Sequence, residues 1–172
     1  MRKIVFQLLV AIVASAILGL ALANSAKARD MVPFMGNYYP GTIVIKTKQR
    51  RLYYVLGTGY AIRYPVGVGR AGQQWAGVSF IDGKYVEPDW AAPPAMRRDP
   101  GEPAQIIPGG SPQNPMGVAA LTLTGGEYAI HGTNQPESVG GFVSSGCIRM
   151  LNQDVVDLFQ RVAVGTPVVV MR

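Results

Sequence analysis

His131 and Cys147 are the only histidine and the only cysteine of the 172-residue chain, and they stand sixteen positions apart in a glycine- and serine-rich stretch. A single thiol cannot close an internal disulfide, so Cys147 pairs between molecules, packs in the core, or reacts. Its neighbours favour reaction. In Ser144-Ser145-Gly146-Cys147-Ile148-Arg149 the sulfur lies beside small residues and a permanent cation, a setting that leaves it reachable and favours thiolate over thiol. An unperturbed thiol is largely protonated at neutral pH, so a nucleophile here needs a base, and His131 is the one imidazole available. Attack on an amide carbonyl builds negative charge on oxygen, which the successive backbone N–H groups of Ser145, Gly146 and Cys147 can receive in a tight turn. Gly146 permits the close approach and positive φ that such a turn needs. Zinc does not fit, because one cysteine and one histidine without an acidic cluster cannot complete a tetrahedral site, and no other cofactor is expected.

The elements that must position these residues read as short strands punctuated by glycine and proline. Residues 42–46 and 52–56 flank a basic turn (Lys46, Lys48, Arg50, Arg51) like a hairpin. Residues 60–68 continue the pattern, with Pro65 arguing for an edge or a bulge. Further β-rich segments follow at 77–81, 118–123, 128–131 and 167–171, so His131 ends a strand. One stretch breaks this rhythm: Val155, Leu158, Phe159 and Val162 have helical spacing, with Asn152 as the expected N-cap and Gly165 as the stop. That helix begins just past the cysteine and gives its loop something rigid to rest on. Between residues 88 and 115 eight of the chain's 13 prolines occur, with Trp90 among them. A proline-rich segment of this length reads as a lid or substrate wall, and Trp90 offers a flat apolar contact.

The chain opens like an exported protein. Arg2 and Lys3 precede a run over 4–23 broken only by Gln7, Ser15 and Gly19, and both Ala21-Leu22-Ala23 and Ala26-Lys27-Ala28 suit a signal peptidase. Left uncut, residues 1–28 are long enough to anchor in a bilayer, the only membrane contact expected. Much of the formal charge of +6 belongs to this leader, which holds Arg2, Lys3 and Lys27 and no acid. The remaining basic cluster is a solvated turn without interleaved aromatics, which argues against a nucleic-acid partner.

Taken together, His131-Gly132-Thr133-Asn134, Ser138-Val139-Gly140 and Ser144 through Met150, with Asn152 and Asp154, resemble the active-site signature of the L,D-transpeptidase catalytic domain, the YkuD-type fold. The likeness extends upstream through residues 52–56, 64–69, Trp90 with Pro93-Pro94, and Asn114-Pro115-Met116-Gly117, and downstream to Gly165-Thr166-Pro167-Val168. It implies a mostly β, sandwich- or barrel-like catalytic domain over 41–172, with one short helix after the cysteine loop and a linker over 29–40. It also implies an enzyme of the periplasm or cell envelope that acts on peptidoglycan stem peptides. In such enzymes the cysteine attacks the carbonyl after the third residue of a tetrapeptide stem and expels D-alanine. The acyl group then passes to an amine on another stem or on a wall-anchored protein. Carried over, Cys147 is the nucleophile, His131 the base, and the amides of Ser145, Gly146 and Cys147 the oxyanion hole. Arg149 is expected to bind a substrate carboxylate or fix the loop, and Trp90 and Ser144 are expected as substrate contacts.

The chain departs from the commonest family pattern at Ser145, where a histidine usually precedes the Gly-Cys pair. Gly132 offers no side chain to orient His131, so a backbone carbonyl must fix its tautomer. The same site would act as an L,D-carboxypeptidase or cross-link hydrolase if water outcompeted the amine. A sortase-like enzyme is disfavoured by the short His-to-Cys spacing and by an arginine only two positions past the cysteine. A non-catalytic wall-binding domain is disfavoured by the retained pair.

Overall fold

Ile43-Val44-Ile45 is an unbroken β-branched run, suited to a strand covered on both faces. In the computed structural model, which describes residues 29–93, 97, 99, 101, 103–125 and 128–172, all three are fully buried. The leader expected over 1–28 lies outside the described residues. In chain order the strands are β1 (Asp30–Pro33), β2 (Ile43–Lys46), β3 (Arg51–Gly57), β4 (Tyr60–Pro65), β5 (Val68–Gly69), β6 (Gly77–Val86), β7 (Trp90–Ala91), β8 (Ile106–Ile107), β9 (Ala119–Leu123), β10 (Ala129–His131), β11 (Phe142–Ser144), β12 (Ile148–Arg149) and β13 (Pro167–Met171). A single α-helix among the described residues, α1 (Asn152–Arg161), completes the mostly β architecture expected above.

Nine strands form one sheet in the order β1-β4-β3-β2-β13-β6-β9-β10-β12. Alternation sends Ile43 and Ile45 into the main core with Leu52, Tyr64, Leu121, Ile130 and Ile148, while Val44 faces a second cluster of Phe34, Tyr53, Val55 and Ala61. The β2–β3 hairpin forms as read, with a 3₁₀ turn over Thr47–Gln49 and Arg50 in the left-handed region (φ 53°). Pro65 ends β4 just beyond the reach of β1, whose last pairing is Asp30 with Arg63. The next N–H, that of Val66, makes the bond back to β3 through Arg50 O (3.1 Å), so the proline costs the ladder nothing.

Two expectations are corrected here. Residues 29–40 are not a plain linker, because Asp30–Pro33 pairs antiparallel with β4 and covers an otherwise open sheet edge. Gly165 does not stop the helix, which ends at Arg161 with an extended Val162. Its last carbonyls are met by Lys84, whose Nζ donates to Phe159 O (2.7 Å) and Val162 O (2.6 Å). A cation at that end also opposes the negative pole of the helix dipole. Val155, Leu158 and Val162 enter the main core as their spacing predicts.

The far edge of the sheet curls back on the chain after β4. Gly67 and Arg149 exchange backbone bonds of 2.8 Å in both directions, and β11 leaves the main sheet to pair in parallel with β5. A Cβ on Gly67 would lie 3.0 to 3.3 Å from Val143 Cγ2, Ser138 O and Arg149 Cβ, so glycine lets the two chains close tightly there. The end of β10, the 144–147 turn and the start of α1 meet at this junction.

Candidate active site

Strands β10 and β12 run parallel, with Ile130 opposite Ile148 and His131 opposite Arg149. The two isoleucines point into the core, so His131 and Arg149 project from the other face. Cys147 directly precedes β12, and its thiol meets the Ala129 backbone of β10. The sole imidazole thus ends β10, and the sole thiol stands at the entrance to its parallel neighbour β12.

His131 is 5 % exposed, and its Nδ1 lies 2.7 Å from Gly132 O. A carbonyl can only accept, so Nδ1 carries the proton and Nε2 is the basic nitrogen. The backbone carbonyl thus supplies the orientation that residue 132 cannot give through a side chain. Burial, reinforced by the charge of Arg149, pushes the imidazolium pKa down to about 4, against the pull of the Gly132, Pro115 and Met116 carbonyls. Burial also raises the Cys147 thiol above its ordinary range, with the Ala129 backbone and the Arg149 charge pulling weakly the other way. This corrects the expectation that the flanking cation favours thiolate: desolvation outweighs it, and at rest the pair is neutral thiol and neutral imidazole.

The turn before Cys147 is fixed from inside. Buried Ser144 donates through Oγ to Cys147 O (2.6 Å) and accepts from Gly146 N–H (3.1 Å). Ser144 therefore braces the turn, and Gly146 N–H is already engaged. Of the three amides expected to receive an oxyanion, those of Ser145 and Cys147 have no partner among the described residues. Gly146 has φ +127°, and a Cβ there would stand 2.2 Å from Tyr128 Cε1. Tyr128 stacks on Trp75 at 5.0 Å and 7°, and Trp75 Nε1 donates to Gly146 O (3.1 Å). Neither aromatic ring was singled out from sequence, because Trp75 follows two glutamines in a segment without periodicity.

The loop after His131 is fixed from α1. Leu151, not Asn152, occupies the N-cap, and Asn152 is the first helical residue. Its Oδ1 accepts the N–H of buried Thr133 at 2.8 Å. Cβ atoms on Gly117 and Gly132 would each fall 2.3 Å from that oxygen, so two glycines make room for one amide. Arg149 is spent on the same loop: Nη1 donates to Ser138 Oγ (3.0 Å) and Gln135 Oε1 (3.4 Å). Of its two expected roles, loop fixation is the one displayed.

Trp90 does not join the pair. It lies in the β7–β8 ribbon opposite Ile107, lining a separate cleft of about 250 Å³, and no hydrogen bond or ring contact links it to His131 or Cys147 among the described residues. The described part of the proline-rich segment is knotted by buried Asn114, whose Nδ2 is directed at the carbonyls of Pro88, Ile107 and Pro108 and whose Oδ1 accepts Met116 N–H. It walls a cleft of about 730 Å³ that reaches Thr133, Asn134 and Asn152, with Glu87 its one charged residue.

Residues 40–170 match the L,D-transpeptidase catalytic domain family. The probable L,D-transpeptidase YbiS of Escherichia coli K12 is 36% identical over 137 residues, which cover 76% of this chain and 44% of that protein. The chain spans less than half the length of the curated relatives YbiS and ErfK/SrfK. Among solved structures, an L,D-transpeptidase from Mycobacterium smegmatis superposes with a TM-score of 0.61 at 17% identity, over 76% of this chain and 58% of that one. L,D-transpeptidase 3 from Mycobacterium tuberculosis, solved with a faropenem-derived adduct, gives 0.59 at 17% identity over 76% and 60%.

Proposed function

The chain belongs to the L,D-transpeptidase catalytic domain family, and on that premise we propose that it is a peptidoglycan L,D-transpeptidase with Cys147 as nucleophile and His131 as base. The observation that supports this assignment is the parallel pairing of β10 with β12, which brings the end of one strand beside the lead-in to the other, together with the Nδ1 contact to Gly132 O that makes Nε2 the basic nitrogen. Each group alone is held neutral by burial, but thiolate and imidazolium formed together attract one another in the same low-dielectric surroundings. Proton transfer from Sγ to Nε2 therefore accompanies attack on the substrate carbonyl and does not precede it.

In the first half-reaction Sγ bonds to the carbonyl carbon after the third stem residue. The oxygen takes up negative charge against the Ser145 and Cys147 amides. Collapse breaks the C–N bond, His131 returns its proton to the departing nitrogen, and D-alanine leaves a thioester behind. An acceptor amine then attacks the thioester, gives its proton to His131, and displaces sulfur. We assign the acceptor, a second stem or a wall-anchored protein, to the side of the cleft lined by Thr133 and Asn134. Export to the cell envelope belongs to the same proposal, as does acylation of Cys147 by β-lactams of the faropenem kind.

Incubating the full chain with disaccharide-tetrapeptide and weighing the products tests this. Released D-alanine with cross-linked dimers is the expected result. D-alanine without dimers would make the protein an L,D-carboxypeptidase, and unchanged tetrapeptide would contradict both.

A further inference from the structure

Arg70 follows β5 directly and is a charged side chain that touches the turn before Cys147. Its N–H donates to Ser144 O (3.0 Å), and its Nη2 donates to Ser145 Oγ (3.2 Å). The backbone beneath it is rigid. Gln73 N–H returns to Arg70 O (2.9 Å), Val68 N–H donates to Gly141 O (3.0 Å), and a Cβ on Gly69 would come within 2.4 Å of Gln73 O. The side chain is exposed, and it makes no salt bridge among the described residues. A guanidinium carries five N–H donors in a fixed fork, and Ser145 uses one of them. A permanent cation held against Ser145, two residues before Cys147, with donors to spare and no carboxylate of its own among the described residues, is built to meet an anion from outside. Arg149, whose charge also reaches Cys147, is half-buried and has Nη1 directed at Ser138 and Gln135, which leaves Arg70 the more exposed of the two cations.

We propose that Arg70 is a specificity residue that binds the free carboxylate of the residue leaving on acylation of Cys147. The inference rests on the acyl-transfer reading above and adds to it the residue that reads the donor's terminal carboxylate. Ser145 fits this task as a small hydroxyl that steadies Nη2 without filling the space an incoming carboxylate needs. A planar carboxylate accepts two parallel bonds from the fork, so its loss is felt as a change in preference between acid and neutral donors.

Two comparisons on the full chain, wild type against Arg70→Ala and Arg70→Lys, decide the matter. In the first, disaccharide-tetrapeptide is set against the same donor with a C-terminal amide. The wild-type preference for the acid, as a ratio of kcat/KM, should fall about 10- to 100-fold in Arg70→Ala and be partly restored in Arg70→Lys. In the second, iodoacetate and iodoacetamide alkylate Cys147, and their rate ratio should fall in the same order. A role confined to bracing the turn would lower both donors alike and leave both ratios unmoved, which would overturn the proposal. If neither donor acylates Cys147 while the alkylation ratio still collapses in Arg70→Ala, the anion site stands and the transpeptidase reading is what fails.

Discussion

His131 ends β10 and Cys147 leads into its parallel neighbour β12, yet the loops that hold them are secured by unlike devices. After His131 the chain is tied to α1 by one amide oxygen, Asn152 Oδ1, with Gly117 and Gly132 cleared away around it. Before Cys147 it is tied by the Ser144 hydroxyl and by the Trp75–Tyr128 stack, on which Gly146 lies flat. Each of the two residues answers to its own support, so the proposed base and the proposed nucleophile can be disturbed one at a time.

Loss of the shared chemistry should have the largest effect. His131→Ala is expected to lower kcat/KM for disaccharide-tetrapeptide by about 10²- to 10⁴-fold, the usual cost of a missing general base. In the wild type the imidazole must be neutral to accept the thiol proton. The acid limb should therefore fall only as pH drops through about 4, well below the ordinary histidine range, and a limb near 6.5 would contradict the burial argument.

Next comes Gly146→Ala, which strikes the cysteine side alone. It asks an L-residue to hold φ +127° with its methyl inside the Tyr128 ring. Turnover should drop by about 100-fold, a misplaced nucleophile being costly, while the His131 Nδ1 proton bonded to Gly132 O remains visible by NMR. Asn152→Ala strikes the histidine side and leaves the buried Thr133 N–H unpaired. It should cost about 1–3 kcal/mol of stability by denaturant unfolding, with alkylation of Cys147 by iodoacetamide retained. If both variants disturbed both side chains equally, the two supports would be one.

The difference also explains what could be read from the chain and what could not. The pair was legible because each residue type occurs once, and the β2–β3 hairpin and the stripe Val155, Leu158, Val162 because burial imposes a period. The supports were not. Asn152 sits where a cap is expected but spends its oxygen on Thr133, nineteen residues back, and Trp75 reaches Gly146 from a polar segment. Side chains bonded to distant backbone leave no periodic trace. The thiol's ionisation was misjudged for a related reason: Arg149 is adjacent in sequence, whereas desolvation of Cys147 depends on the whole fold. Residues 29–40 lack a strong alternation, and pairing with β4 makes a strand of four of them.

The smallest effect belongs to the scaffold beneath the histidine side. Asp154, buried in the first turn of α1, has Oδ2 without a partner among the described residues, and burial raises its pKa above the ordinary carboxylate range. The folded state therefore holds its proton more tightly than the unfolded chain. This contribution to stability is full below the unfolded pKa and is lost as pH rises through the folded one. Asp154→Asn should raise Tm by a few degrees at neutral pH and leave it unchanged in acid, as thermal unfolding at the two pH values will show.

The most direct test of the account is the intact mass of the full chain mixed with disaccharide-tetrapeptide and quenched in acid during turnover. The account predicts an added mass equal to the donor less D-alanine, mapped to Cys147, absent in Cys147→Ala and strongly reduced in His131→Ala. Release of D-alanine by Cys147→Ala, or an acyl group mapped to any other residue, would contradict it.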